Sequence, residues 1–333
     1  MTSNDRPMTA LTFRTLDDVE YGRVDRVSPR VRRVIAENPS KFTYRGTGTY
    51  ILGDGDVVVI DPGPILDSHR DALAAALRGE RVRAILVTHC HSDHSPLAAW
   101  LAAESGAATF GFGPHPYPDE ELLAALAEIR EAERAAGEDD DATDDDGEVK
   151  VEESVDHDFT PDVTVSDGET LDLGGLTITG VHTPGHTSNH MCWALSEESA
   201  LFTGDHVMGW STTVVSPPDG DMAAYIDSLR KVAARRDAVL WPTHGPPRDD
   251  AVEYVAGLVE HRLERERGVL DAVRSGLTDV KQIVGLLYAA VDVKLHKAAG
   301  YSVWGHLVKL VDDGLVVTAD GGRPLPNSTY VPV

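Results

Sequence analysis

Four apolar stretches of this chain each stop at a histidine or aspartate set beside glycine or proline, and that pattern constrains the fold more than any other feature. Val82-Arg83-Ala84-Ile85-Leu86-Val87 runs into Thr88-His89-Cys90-His91-Ser92-Asp93-His94-Ser95. Leu176 to Val181 runs into His182-Thr183-Pro184-Gly185-His186-Thr187, and Ala200-Leu201-Phe202-Thr203 into Gly204-Asp205-His206. Ala238-Val239-Leu240-Trp241 runs into Pro242-Thr243-His244-Gly245. Short apolar runs bounded by turn residues read as buried strands. Four strands that end this way predict a sheet edge built to hold a metal cluster.

The octapeptide from Thr88 to Ser95 is the densest of these ends. Alternate residues of an extended segment point the same way, so His89 and His91 can grip one ion. Asp93 and His94 fall in the turn that follows, offset enough to reach a second. Imidazole nitrogen and carboxylate oxygen suit zinc, iron or manganese. The plain alternative, a solvated polar loop, sits poorly with four ligand-type residues between positions 89 and 94. Cys90, between two of them, faces the other way by the same alternation and reads as a buried thiol.

In this order the residues resemble the metallo-β-lactamase fold superfamily. His89, His91, Asp93 and His94 correspond to its HxHxDH motif, His186 to the downstream histidine, Asp205 to the bridging aspartate and His244 to the last histidine. The likeness spans residues 45 to 250. It implies an α/β fold, a four-layer αββα sandwich of two sheets between helices. It implies His89, His91 and His186 on a first ion, Asp93, His94 and His244 on a second, and Asp205 between them. Two divalent ions are the implied cofactors, zinc first, with iron or manganese able to substitute. Two ions ~3.5–4 Å apart can hold a bridging hydroxide at neutral pH and polarise a carbonyl or phosphoryl oxygen. Asp93 would then be catalytic as well as a ligand, orienting that nucleophile and taking its proton. Asp61 would serve as an acceptor that fixes the tautomer of a ligand histidine. His190 matches a histidine of the glyoxalase II-like and beta-lactamase-like protein 2 groups, which either protonates the leaving group or braces the site. Trp210 and Thr212, just past Asp205, are expected to line the mouth and touch substrate.

With 333 residues and 41% hydrophobic content, the chain has room for one large core domain and a small appendage. The expected division is a 1–40 extension, a 41–249 hydrolase domain and a 250–333 tail. Gly137 to Asp162 carries 13 acidic residues against one lysine, a large share of the net charge of −25. Such a composition cannot bury a core and reads as a mobile, solvated insertion. Helices are expected at 67–78, 119–136, 221–236, 250–272, 277–288 and 296–313. The last three, followed by Leu315-Val316-Val317-Thr318 and Thr329 to Val333, resemble a winged-helix tail. The run from Leu295 to Leu310 brings this tail close to the beta-lactamase-like protein 2 group.

No run approaches the ~18 apolar residues of a membrane span, no basic-then-apolar start marks a signal peptide, and Cys90 and Cys192 form no disulfide framework. A cytoplasmic setting is expected, with no membrane partner and a homodimer among the assemblies open to it. Two substrate classes compete. The group resemblance implies single-stranded RNA or another phosphodiester, but RNA binding calls for cations, and the tail holds nine basic against eleven acidic residues. The alternative is a carboxylic ester or thioester, small or carrier-bound, as in glyoxalase II-like enzymes and related acyl-carrier or CoA thioesterases. A metal scaffold or nucleic-acid-binding protein without turnover is the third reading.

Overall fold

The computed structural model describes residues 11–117, 119–135, 154–293 and 296–333. A seven-stranded sheet runs in chain order through β1 (Val24–Arg26), β2 (Val31–Ile35), β3 (Gly48–Leu52), β4 (Asp56–Ile60), β5 (Arg81–Leu86), β6 (Thr109–Gly111) and β7 (Val163–Thr164). Its first four strands are antiparallel, and β4 to β7 are parallel. A second sheet holds β8 (Thr170–Leu173), β9 (Leu176–His182), β10 (Met191–Leu195), β11 (Ala200–Gly204) and β12 (Val239–Pro242). There β11 and β12 run parallel and the rest antiparallel.

Strand alternation explains the layers. Val58, Ile60, Ala84 and Leu86 of the first sheet pack against Met191, Trp193, Leu195 and Phe202 of the second. The intervening Val57, Val59 and Ile85 turn outward onto α1 (Asp67–Ala76) and α2 (Leu97–Ser105). On the other side Cys192, Ala194 and Leu201 turn onto α4 (Met222–Arg235) and α5 (Ala251–Arg274); α3 (Glu120–Ala135) lies between α2 and α4 in sequence. The central strands β3, β4, β10 and β11 are buried on both faces and read as near-continuous apolar runs. Trp193, fully buried between the sheets, donates from its indole to the Val87 carbonyl at 3.3 Å. That bond ties the second sheet to the backbone just ahead of Thr88.

Residues 24–35, where the sequence shows no clear period, form β1 and β2. Every residue of Val31-Arg32-Arg33-Val34-Ile35 is buried, the two arginines included, so the usual polar-apolar alternation is absent. The chain from 137 to 153 lies outside the described residues. Residues 154–158 hold directly to the metal-type loop: Ser92 N donates to Ser154 O at 2.9 Å, Asp156 N to Cys90 O at 2.7 Å, and Ser95 Oγ to Asp156 Oδ2 at 2.6 Å.

The tail is built from the end of α5, α6 (Val280–Leu287), α7 (His296–Asp312) and the hairpin β13 (Val316–Thr318) with β14 (Tyr330–Pro332). Its core gathers Val269, Val273, Ile283, Val303, Trp304, Leu307 and Tyr330. The 24-residue helix α5 therefore serves two cores, the sandwich through Tyr254 to Val259 and the tail through Val269 to Val273.

Candidate metal centre

The turns after β5, β9, β11 and β12 meet in one buried pocket. His89 Nε2 lies 2.9 Å from His91 Nδ1, and His186 Nε2 lies 3.2 Å from the same atom. Beside this imidazole group, Asp93 Oδ2 lies 3.3 Å from His94 Nε2 and 3.2 Å from His244 Nε2. Asp205 spans the two. Its Oδ2 is 3.9 Å from His186 Nε2, while Oδ1 is 3.6 Å from His94 Nε2 and 3.4 Å from His244 Nε2. Two glycines allow this convergence: a Cβ on Gly185 would meet Tyr225 Cβ at 2.5 Å, and one on Gly204 would meet His190 Nε2 at 2.6 Å.

The outward ring nitrogens show what the inward ones are for. His94 Nδ1 donates to Asp61 Oδ2 at 2.9 Å, His186 Nδ1 to the Val214 carbonyl at 2.7 Å and His244 Nδ1 to the Gly46 carbonyl at 3.2 Å. Each Nε2 is thereby the ring atom turned to the pocket, able to offer a lone pair to a cation once it carries no proton. His94 Nε2 and Asp205 Oδ1 are buried with no hydrogen-bond partner, which is costly for polar atoms and is relieved by a cation. His89, His91 and His186, His89, His94 and Asp205, and Asp93, His94 and His244 are each grouped closely enough to hold an ion. The donor chemistry fits metal ions.

The two groups differ in charge. Burial, then the neighbouring imidazoles, pushes His89 well below the usual histidine range, and burial with His186 beside it brings His91 down to about 3. His186 is lowered by burial too. In the other group burial pulls the same way, but carboxylates outweigh it. Asp93, Asp205 and Asp61 raise His94 well above its ordinary value, and Asp205 with Asp93 raises His244 to about 10. Asp93 and Asp205 stay below the usual carboxylate range, because the facing imidazoles outweigh a burial cost that acts upward.

Asp61 lies buried behind the pocket. Its Oδ1 accepts from Thr88 N at 2.8 Å; its Oδ2 accepts from Thr88 Oγ1 at 2.8 Å, Thr243 Oγ1 at 3.1 Å and His94. It holds a left-handed φ of 47°, a strained conformation for a residue other than glycine. Thr47 Oγ1 donates to Asp93 Oδ2 at 2.8 Å. The threonines and the carbonyls of Gly46 and Val214 escape a reading of sequence. Thr88 alone had a signal, as the residue between an apolar strand and the first histidine.

His190 is fully buried behind the cluster. Its Nε2 accepts from Asp205 N at 3.2 Å, so its Nδ1 carries the proton and donates to Thr183 Oγ1 at 2.8 Å. Trp210 stacks on Tyr44 with ring centres 4.7 Å apart and packs against Gly245, next to His244. Thr212 is half-buried in the same loop, with its carbonyl accepting from Ser211 Oγ at 3.2 Å.

A two-sheet sandwich with an imidazole-carboxylate pocket at its strand ends defines a class of metal-dependent hydrolases. Residues 44–244 match the metallo-beta-lactamase superfamily and residues 280–323 the beta-lactamase-associated winged helix domain; the chain belongs to that superfamily and is a hydrolase of it. It is 30% identical over 287 residues to an atrochrysone carboxyl ACP thioesterase of Aspergillus chevalieri, covering 83% of this chain and 79% of the relative. It is 31% identical over 299 residues to the beta-lactamase-like protein 2 homolog of Caenorhabditis elegans, covering 88% of each. Among solved structures, a beta-lactamase domain protein from Burkholderia ambifaria superposes with a TM-score of 0.70 at 21% identity, covering 95% of this chain and 96% of that one. A metallo-beta-lactamase family protein from Thermus thermophilus gives 0.67 at 22% identity, covering 92% of this chain and all of that one. The αββα fold and winged-helix tail expected from the sequence are the ones present. No helix among the described residues is long and apolar enough to cross a membrane.

Proposed function

We propose that this chain hydrolyses thioesters of small or carrier-borne carboxylic acyl groups. The observation that carries the reading is the match, along most of both chains, to relatives named as carboxyl ACP thioesterases, combined with a pocket of overlapping His and Asp groups able to hold a cation, in which Asp205 lies 3.4–3.9 Å from His186, His94 and His244. His89, His91 and His186 would hold one ion, Asp93, His94 and His244 the other, and Asp205 would contact both. Zinc fits these donors best, with iron or manganese as substitutes. When bound, such a pair supplies Lewis acidity and lowers the pKa of water toward ~7.

The protein's own groups supply the rest. Asp93, held by Thr47 and kept ionised, orients the attacking water and accepts its proton. Water oxygen bonds to the acyl carbon, the C–S bond breaks, and the sulfur leaves with the electron pair. A thiol has a pKa near ~8.5, so its thiolate departs with far less proton donation than an alkoxide. His190, both ring nitrogens engaged, acts as the brace that holds the Asp205 backbone.

A single-stranded RNA would need free cations and open stacking faces. In the tail Arg262 is buried, Lys309 is bound to Glu266 and Asp313, and Arg265 lies over the Tyr288 ring. One face of Trp210 is covered by Tyr44. These placements favour the acyl reading. The buried free thiols of Cys90 and Cys192 agree with a reduced, cytoplasmic setting.

The test is turnover of acyl-pantetheine, acyl-CoA and acyl-carrier thioesters beside a short single-stranded RNA, by parent and Asp93→Ala. Thioester cleavage by the parent, reduced at least ~10²-fold in the variant, is expected. RNA cleavage that disappears in Asp93→Ala, with every thioester left intact, would overturn the proposal.

A further inference from the structure

One buried side chain joins the tail to the loop beside the metal pocket by hydrogen bonding. Arg262 of α5 is 3% exposed, and no carboxylate pairs with it among the described residues. A guanidinium buried in this way is costly unless its donors are used. Its Nη2 donates to the Thr213 carbonyl, and its Nη1 to Ser302 Oγ of α7 at 3.5 Å. The guanidinium also sits 5.3 Å from the centre of the Tyr225 ring, whose hydroxyl donates to the His206 carbonyl at 3.0 Å.

The segment so held is the one that shapes the pocket. Thr213 Oγ1 donates to the carbonyls of Asp205 at 2.7 Å and His206 at 3.1 Å. The next residue, Val214, supplies the carbonyl that orients His186. One residue further, the Val215 carbonyl would lie 3.2 Å from a Cβ on Gly305 of α7, so the tail helix presses on the same loop. Two tail helices thus grip residues 213–215, and those residues set one ligand-type histidine and the aspartate between the two groups.

We infer that Arg262 is a positioning residue for the metal centre, and that the tail serves the hydrolytic pocket through it. The inference rests on the two-ion reading above. Removing Arg262 frees the Thr213 carbonyl, lets Val214 swing, and leaves His186 free to rotate away from His89 and His91.

The test is metal binding by the full chain, read as zinc content per chain, zinc affinity by chelator competition, and the absorption spectrum of the cobalt-loaded protein. The parent is expected to hold two ions. Arg262→Met should weaken one of them about 10- to 100-fold, the scale of losing a group behind a ligand, and alter the cobalt spectrum. Arg262→Lys should recover part of the loss, and Ser302→Ala should show a smaller loss in the same direction. Leu310→Ala, which loosens the tail core without touching the loop, should leave both ions at parental affinity. Folded Arg262→Met with two tightly held ions overturns the inference, and so does an equal loss in Leu310→Ala. If Arg262→Met does not fold, parental affinity in both Arg262→Lys and Ser302→Ala overturns it. A parent that binds no ion overturns the two-ion reading itself, and this inference with it.

Discussion

The two halves of the pocket are made of similar residues and behave in opposite ways. His89, His91 and His186 are surrounded mainly by other imidazoles, with Asp205 at one edge, and burial keeps all three rings neutral. His94 and His244 face Asp93 and Asp205, and those carboxylates raise both rings above their ordinary range. A buried carboxylate is tolerated only beside positive charge; protons on His94 and His244 supply it here, and a bound cation would take their place. The imidazole half merely accepts one. The contrast teaches that ligand type alone does not set a site's appetite for metal; the charge balance around it does.

The largest expected effect comes from removing the residue the halves share. Asp205→Asn keeps the shape but removes one of the two carboxylates facing His244 and one of the three facing His94, and takes a carboxylate from His186. Hydrolysis should fall at least ~10²-fold, and zinc content should drop in both halves. A variant that still holds two zinc ions and turns over like the parent would dissolve the link between the halves.

A smaller effect should be confined to the acidic half. Asp61→Asn replaces an acceptor with an amide that can present an N–H to His94 Nδ1 and so favour the wrong tautomer. One ion should weaken about 10- to 100-fold while the ion held by the imidazole half stays at parental affinity. Equal weakening of both ions would show that Asp61 supports the whole pocket and that the halves are not separable.

The seven ligand-type residues were legible in sequence because each sits where an apolar strand ends, a local signal that survives without any alignment of relatives. The layers were legible for the same reason, since alternation in β4, β5, β10 and β11 divides two cores cleanly. β2 was not, because its arginines are buried against Glu80, the Gly53 carbonyl and the Gly245 carbonyl, partners distant in sequence. The acidic stretch reads as one solvated insertion up to Asp162, yet Ser154 to Asp158 clamp the loop that carries His91 and Asp93, through backbone bonds that composition does not encode. The hydroxyls of Thr47 and Thr243 and the carbonyls of Gly46 and Val214 were invisible for a similar reason. Threonine and backbone are common everywhere, and only tertiary placement gives these their partners. Arg262 reads in sequence as one cation among several on a charged helix; only its burial sets it apart.

The smallest expected effect lies behind the acidic half, at the turn that carries Asp61. His69 of α1 is almost fully buried, and its Nε2 contacts the Pro62 carbonyl at 3.1 Å and Thr49 Oγ1 at 2.9 Å. Thr49 Oγ1 in turn donates to the Asp61 carbonyl at 2.7 Å. Burial, opposed by the bond to Pro62, pushes this imidazole down from its ordinary 6.5 to about 4. Between those two values the unfolded chain binds more protons than the folded one at this position, so the stabilisation is complete above pH ~6.5 and is lost as pH falls toward 4. One such group changes stability by at most about 1.4 kcal/mol per pH unit. In metal-free protein, urea midpoints should fall between pH 7 and pH 5, and His69→Gln, which can still donate to Pro62, should make that fall shallower. Identical pH dependence in parent and His69→Gln would mean that the imidazole gains water or a proton without cost, and that the turn behind Asp61 is looser than its hydrogen bonds imply.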